Sequence, residues 1–409
     1  MKCRHCNNDL HLEFINLGSA PPSNAYLTEQ NLRSPEKWFP LKVLVCTNCW
    51  LVQTEDYTGA DELFGPDYAY FSSFSSTWLR HAEEYVDYMV QRFDLDTGSY
   101  IIEVAANDGY LLQYVKSRNI PCLGIEPTYS TAKAARDKGI EIIEDFFGIQ
   151  LAKKLLAKGI AANLMAANNV LAHVPDINDF VGGFSVLLKE DGVATFEFPH
   201  LLRLVAENQF DTIYHEHFSY LSLTAVDRIF QKNGLKVFDV EEKETHGGSL
   251  RVFAQRKDAG KRKTTMRVHE LLDVEKKAGV TTIPFYQGFQ RKSEKVKNDL
   301  VSFLIKTKQN GKKVAAYGAA AKGNTLINYA GIRFDLLPWV ADRNPAKQGK
   351  FLPGSRIPIC DEERVRAEKP DFILILPWNL RQEIIAQLHY IHDWGGQFVT
   401  AVPELWIEK

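Results

Sequence analysis

No stretch of this chain is apolar enough for long enough to cross a bilayer, and no apolar run follows the charged start MKCRHC. That excludes a spanning helix and a secretory leader, so a cytoplasmic protein without a membrane partner is expected. No charge of one sign is in excess either, since 49 Lys and Arg stand against 51 Asp and Glu. A general nucleic-acid binder normally carries a basic excess or stripe, so no nucleic-acid partner is expected. The longest basic cluster, around Lys257 to Lys263, reads as a solvated loop. Low-complexity segments and short-period repeats are missing as well. Cysteine is scarce: six in 409 residues, four of them in the C-x-x-C pairs Cys3/Cys6 and Cys46/Cys49. In a reducing compartment such pairs are metal ligands rather than disulfides.

What is present is a hydrophobic fraction of 45% spread over a chain too long for one core, which predicts two or three domains. Up to about residue 65, short apolar runs are broken by Gly, Pro and Asn, too little apolar material to fold without a staple. Four thiolates around one zinc provide it, a structural site with no open coordination position. His5 lies inside the first knuckle, but four cysteines leave it no place among the ligands. Helical spacing runs from Trp78 to Phe93. SYIIEVAANDGYLLQYV then reads as strand, small-residue turn and helix, and further strands follow in PCLGIEP, EIIEDFF, AANLMAANNV and DGVATFEFP. Strands alternating with helices predict an α/β fold with a doubly wound, Rossmann-like domain and a largely parallel sheet. GLKVFDVEEKETHGGSLRVFAQR adds two antiparallel strands at its edge. Beyond a charged helical connector, KKVAAYGAAAKGNTLINYAG opens a second Rossmann-like α/β unit. The expected division is 1–75 for a zinc-binding domain, 76–256 for the first α/β domain and 257–409 for the C-terminal one.

Ligands of doubly wound folds sit beyond the carboxyl ends of the strands. The turn AANDGY holds one glycine, Gly109, and no dinucleotide fingerprint, so a cation without phosphates fits better than a dinucleotide. S-adenosylmethionine is such a ligand. Glu126 suits its ribose hydroxyls, Asp145 its adenine amino group, and Glu103 and Asp108 its ammonium. Asn107, Pro127, Phe146, Asn168 and Asn169 lie on the same strand ends and complete the candidate cofactor residues. The domain 76–256 is thereby read as the cofactor-binding methyltransferase domain.

The chain resembles the sugar C-methyltransferases of deoxysugar pathways, such as those acting on dTDP-linked 3-amino-4-keto hexoses. The resemblance spans nearly the whole chain. It rests on the paired cysteine knuckles, GPDYAYFSS, EVAANDGYLL, GIEP, NNVLAHV, YHEHFSY, HGGSLRV and YGAAAKGNT, in that order and spacing. The family more often has glycine and another small residue where this chain has Ala105 and Ala106. The resemblance implies methyl transfer from S-adenosylmethionine to a carbon beside the ketone of a nucleotide-linked 4-keto-6-deoxy hexose (dTDP or GDP), with C-3 the expected position. It also implies that Tyr214, Glu216 and His217 lie in the active site with His217 as base, and that Tyr68 or Tyr70 and His173 face the substrate.

Such chemistry needs a base for the α-proton and a donor for the carbonyl oxygen, because carbon is a poor nucleophile until it becomes an enolate. A neutral imidazole suits the first task. His215, His173, His217 or a Tyr hydroxyl suits the second. H-E-x-x-H spacing is absent from YHEHF, which excludes a zinc protease. GAAAKGN lacks the Lys-Ser/Thr of a Walker loop; with Asp342 closing the next strand it reads as a turn for the substrate's diphosphate or sugar, held by Lys322, Asn324 and Lys347. The competing readings are a nucleic-acid base methyltransferase, a dehydrogenase using NAD on the C-terminal unit, and a non-catalytic nucleotide-sugar binder.

Overall fold

The computed structural model describes residues 1–55, 71–74 and 76–408. Tyr68, Tyr70 and most of the GPDYAYFSS segment lie outside the described residues. Three sheets organise the rest. The N-terminal sheet is antiparallel and contains β1 (Leu12–Ala20), β2 (Phe39–Val45) and β3 (Val52–Thr54). β1 buries Phe14, Ile15, Leu17 and Ala20 and exposes Glu13, Asn16, Gly18 and Ser19, its alternation shifted where its pairing with β2 is irregular, as in a sheet with one covered face.

The central sheet starts with β4 (Ile101–Val104), β5 (Cys122–Ile125), β6 (Ile142–Ile143), β7 (Ala162–Asn168) and β8 (Leu188–Pro199), all parallel in the order β8-β7-β4-β5-β6. All four residues of β4, Glu103 among them, are buried, as expected of a strand covered by helices on both faces. The helix Ser76–Phe93 supplies one cover through Tyr85, Val86 and Met89. On the other face the helix Ile177–Leu187 begins where Asp176 accepts from the amides of Asn178 and Asp179. That cap is worth about 1 kcal/mol.

A two-residue strand, β9 (Ser219–Tyr220), then leaves the central domain and pairs with β3, so the N-terminal sheet is completed by the YHEHFSY segment. The hairpin of β10 (Leu235–Lys243) and β11 (Ser249–Arg256) returns to the central sheet, with β11 antiparallel to β8. The connector forms the helices Met266–Ala278 and Phe289–Gln309 with a short turn between them. Gly279, left-handed at φ 92°, ends the first of these. The third sheet carries β12 (Val314–Tyr317), β13 (Val340–Ala341), β14 (Ile359–Cys360), β15 (Phe372–Ile375), β16 (Gln397–Thr400) and β17 (Trp406–Ile407) in the order β14-β13-β12-β15-β16-β17. Only β17 runs antiparallel to its neighbour.

Two turn residues explain local sequence choices. Gly109 has φ 73°, and a Cβ there would lie 2.4 Å from Ile140 Cδ1 and 3.2 Å from Ala135 Cβ. Its side-chain position faces protein, so glycine is required for turn geometry and helix packing rather than for approach to a ligand. Ala105, at φ 59°, occupies the left-handed region with a Cβ. Ala105→Gly is therefore expected to stabilise the protein by about 1 kcal/mol, the cost of holding an L-residue there. Urea unfolding with an unchanged slope checks this, and a loss of stability contradicts it.

Candidate active site and metal centre

Cys3, Cys6, Cys46 and Cys49 bring their sulfurs within 4.8 Å of one another. The Cys3–Cys49 and Cys6–Cys46 sulfur separations are 3.6 and 3.5 Å. Four sulfurs bound tetrahedrally to one zinc stand about 3.8 Å apart, so the cluster fits that ion. The left-handed residues Asn7 and Trp50 close the two knuckles, their amides donating to the carbonyls of Cys3 and Cys46. His5 stays outside the cluster and makes a 2.8 Å hydrogen bond through Nδ1 with Asn178 Oδ1. The knuckles thus dock on the helix Ile177–Leu187, and Arg228 donates to the carbonyl of Asn48 from the helix Leu223–Lys232.

At the carboxyl end of β4 three carboxylates converge. Glu103 is 1% exposed, and neither oxygen finds a well-formed hydrogen bond among the described residues. Burial pushes its carboxyl well above the usual range, with Tyr110 opposing the shift and Asp108 and Glu126 adding to it. Glu126 accepts from the amides of Asn107 (2.9 Å) and Thr128 (3.0 Å), which ties the end of β5 to the turn after β4. The side chains of Thr128 and Thr131 also bond to it. Asp108 accepts from the amide of Ser73, its Oδ1 being buried without a partner among the described residues. An acidic, under-satisfied hollow of this kind is relieved by a cation, so these residues fit S-adenosylmethionine.

The amide oxygens of Asn168 and Asn169 are likewise buried and unpaired at the end of β7, among the described residues. Pro127 follows Glu126 on the same rim. Asp145 and Phe146 lie two and three residues beyond β6 and are exposed, with Asp145 Oδ1 accepting from the Phe146 amide.

The next cluster is built by YHEHFSY. The amide of Phe218 donates to the carbonyl of Ala172, which joins this segment to the turn after β7. The join brings the ring of His173 to 4.6 Å from that of His217, while Tyr214 lies 4.0 Å from His217 on another side. His217 Nδ1 stands 2.8 Å from the carbonyl oxygen of Thr212. A carbonyl only accepts, so Nδ1 carries the proton and Nε2 of the neutral ring keeps its lone pair. Burial, and then the neighbouring His173, push His217 well below its ordinary value. His173 is pushed down to about 4 by burial. Both rings are therefore neutral at pH 7. The acidic limb of kcat/KM is expected below pH 6.5, because activity falls only when His217 gains a proton. A limb at or above 6.5 contradicts this assignment.

Glu216 and His215 serve other contacts. Glu216 is buried, and both its oxygens accept from Asn24 Nδ2, at 2.7 and 2.8 Å. His215 Nε2 lies 3.3 Å from the carbonyl oxygens of Phe39 and Pro40, and its ring meets Phe39 edge-on. The structure does not bring His215 into the His217 cluster; the turn at His215 and Glu216 directs it to β2, where it pins the N-terminal sheet.

In the C-terminal unit, Asp342 accepts from the amides of Ala319 (2.7 Å) and Asn344 (2.8 Å). Lys347 Nζ donates to the Ala319 carbonyl at 2.8 Å and Tyr26 OH to the same oxygen at 2.6 Å. Lys322 donates to Asn379 Oδ1 at 2.7 Å and lies over the Trp378 ring. Asn324 is 1% exposed with both amide atoms unpaired among the described residues. Sequence reasoning gave no role to Asn24, Trp78, His246 or Trp378. HGG was visible as a motif, but the contacts of the other three are made across long chain separations.

Against known proteins, three family models match: "Putative zinc binding domain" over residues 3–64, "Methyltransferase domain" over 78–240 and "C-methyltransferase C-terminal domain" over 244–403. C-methyltransferase NovU of Streptomyces niveus is 34% identical over 403 residues, 98% of this chain and 96% of that protein. The chain belongs to the C-methyltransferase family. It is an enzyme, a C-methyltransferase. Magnesium protoporphyrin IX methyltransferase of Synechocystis with bound SAM is 14% identical, with a TM-score of 0.34, covering 44% of this chain and 79% of that one. The PH0226 protein of Pyrococcus horikoshii is 13% identical with a TM-score of 0.39, covering 49% and 100%. Likenesses of that size carry no argument, and the C-methyltransferase assignment rests on NovU. No helix among the described residues is long and apolar enough to cross a membrane.

Proposed function

We propose that this C-methyltransferase moves a methyl group from S-adenosylmethionine to the carbon beside the ketone of a nucleotide-linked 4-keto-6-deoxy hexose, with C-3 the expected carbon. The carrying observation is His217, half-buried and neutral, with Nε2 free of the proton that Nδ1 shows to Thr212. When bound, S-adenosylmethionine supplies an electrophilic methyl group beside the acids of β4 and β5. His217 Nε2 takes the α-proton; Tyr214 and His173 wall the ring. Asn107, Gly109, Pro127, Asp145, Phe146, Asn168 and Asn169 line the cofactor rim, and Asn324 and Lys347 the nucleotide side. Tyr68 or Tyr70 faces the substrate in this reading. Glu216, held by Asn24, keeps the YHEH turn in place between the N-terminal loop and the C-terminal unit.

The division 1–75, 76–256 and 257–409 assigns zinc, cofactor and sugar nucleotide to successive parts, and the reduced cysteine cluster suits the cytoplasm. Deuterium exchange tests the chemistry: in D2O with S-adenosylhomocysteine, the enzyme should speed loss of the α-proton of a dTDP- or GDP-linked keto sugar. Methylation without any such exchange step, at nitrogen or oxygen, would refute it.

A further inference from the structure

We propose that Lys322 and His246 together hold the carbonyl oxygen that becomes negative as the substrate loses its α-proton, which makes them further catalytic residues. This rests on the enolate reading above.

Lys322 is an expensive cation where it stands. It is the second residue of the helix Ala321–Tyr329, whose N-terminal dipole repels positive charge. Burial adds to that cost and lowers its pKa, with Asp211 opposing the shift. Its one hydrogen bond among the described residues goes to a neutral acceptor, Asn379 Oδ1, at 2.7 Å. Asp211 is the acid whose charge bears on it, yet Asp211 makes no hydrogen bond to the ammonium: its Oδ2 accepts from Trp378 Nε1 at 2.8 Å, and its Oδ1 is buried without a partner among the described residues. An ammonium has three donors. Beyond its bond to Asn379, the site therefore provides a cation with hydrogens to give and no hydrogen-bonded anion among the described residues.

His246 approaches from the hairpin at the edge of the central sheet. It sits between β10 and β11 at φ 58° and ψ 18°, followed by two glycines with positive φ. The loop is pinned on several sides. Thr245 Oγ1 donates to Glu197 Oε1 at 3.1 Å, and Gln209 Nε2 donates to the Gly247 carbonyl at 2.7 Å. Trp378 packs so closely that a Cβ on Gly247 would lie 2.5 Å from its Cη2. The His246 ring meets Trp78 edge-on at 5.1 Å, and its Nδ1 is buried with no partner among the described residues.

Trp378 places the two groups together. Lys322 Nζ lies 4.8 Å from its ring centroid, while the loop bearing His246 rests against its edge. Both groups are near enough to His217 for their charges to bear on it. Burial holds His246 at about 4, so it is neutral at pH 7 and offers one N–H.

The step balances as follows. The α C–H bond breaks and its proton goes to His217 Nε2. Its electron pair forms the C=C bond, and the carbonyl π pair moves onto oxygen, facing Lys322 and His246. When the C=O bond re-forms, the C=C pair attacks the methyl carbon, and the S–CH3 pair leaves on sulfur. The oxygen is most negative between these events, so donors fixed there lower the barrier.

The test is α-proton exchange in D2O with a dTDP-linked 4-keto-6-deoxy hexose and S-adenosylhomocysteine, followed by proton NMR. Lys322→Met, Lys322→Arg and His246→Gln are compared with wild type, and dTDP affinity is measured beside each. Exchange at saturating sugar should fall about 10²–10³-fold in Lys322→Met and by at least about tenfold in His246→Gln, with Lys322→Arg between wild type and Met. Affinity for dTDP should stay within about threefold throughout. Weakened dTDP binding with undiminished exchange at saturation would assign Lys322 to the phosphates and overturn the proposal. If Lys322→Met fails to fold, undiminished exchange in Lys322→Arg and His246→Gln overturns it equally. A wild-type enzyme that exchanges nothing would instead bring down the enolate reading itself.

Discussion

His217→Ala should lose turnover by about 10²–10⁴-fold while keeping its affinity for S-adenosylhomocysteine. The separation follows from the geometry. His217 belongs to the segment that pairs with the N-terminal sheet, whereas the cofactor hollow is formed by the ends of β4, β5 and β7. No cofactor-side carboxylate depends on the imidazole: Glu126 is held by backbone amides and Asp108 by Ser73. Truncation removes a half-buried ring packed between Tyr214 and His173, so some loss of stability is also expected. Isothermal titration with S-adenosylhomocysteine and product formation from a keto sugar nucleotide read the two effects separately. Equal turnover in the variant removes His217 from the base role. Loss of cofactor affinity shows instead that the two clusters are one folding unit.

Replacing Cys46 and Cys49 by Ser should take the metal from one zinc per chain to near none and abolish most turnover. Binding of zinc by four thiolates is worth about 10–16 kcal/mol at neutral pH, more than the stability of an ordinary domain. The consequence for activity travels through one sheet. The knuckle containing Cys46 and Cys49 joins β2 to β3, and β3 pairs with β9, which directly follows the YHEHF residues. The N-terminal segment also supplies Asn24 to Glu216 and Tyr26 to the Ala319 carbonyl. Metal loss should therefore disturb the base and the C-terminal turn before it disturbs the cofactor hollow. Elemental analysis, calorimetry and S-adenosylhomocysteine binding check the chain of consequences. A metal-free variant with normal turnover would limit zinc to a bystander's role.

The parts of this molecule legible in its sequence are those written locally. A short apolar run interrupted only by Glu103 predicts the buried β4, a turn of small residues follows it, and acids recur at strand ends. C-x-x-C pairs draw attention to a metal whatever the fold around them. What escaped is set by contacts between distant residues. Asn24 reaches Glu216 across 192 positions, and Trp378 reaches Asp211 across 167. The pairing of β9 with β3 rests on two residues, too few for any alternation to show. His215 and His217 are identical in type and two apart, yet one pins a sheet and the other faces His173. Only the direction of each side chain distinguishes them, and that is fixed by β2 and by the carbonyl of Thr212. The crowding that requires glycine at 109 was not legible, because it comes from Ala135 in a later helix and Ile140 in the loop after it.

The most direct measurement uses S-adenosylmethionine labelled with 13C in its methyl group and a dTDP-linked 4-keto-6-deoxy hexose. Carbon NMR of the product should show the label bonded to a ring carbon beside the ketone, with the hydrogen of that carbon gone. Label found on oxygen or nitrogen, or left on sulfur while His217 is intact and the donor is bound, would contradict carbon methylation through an enolate.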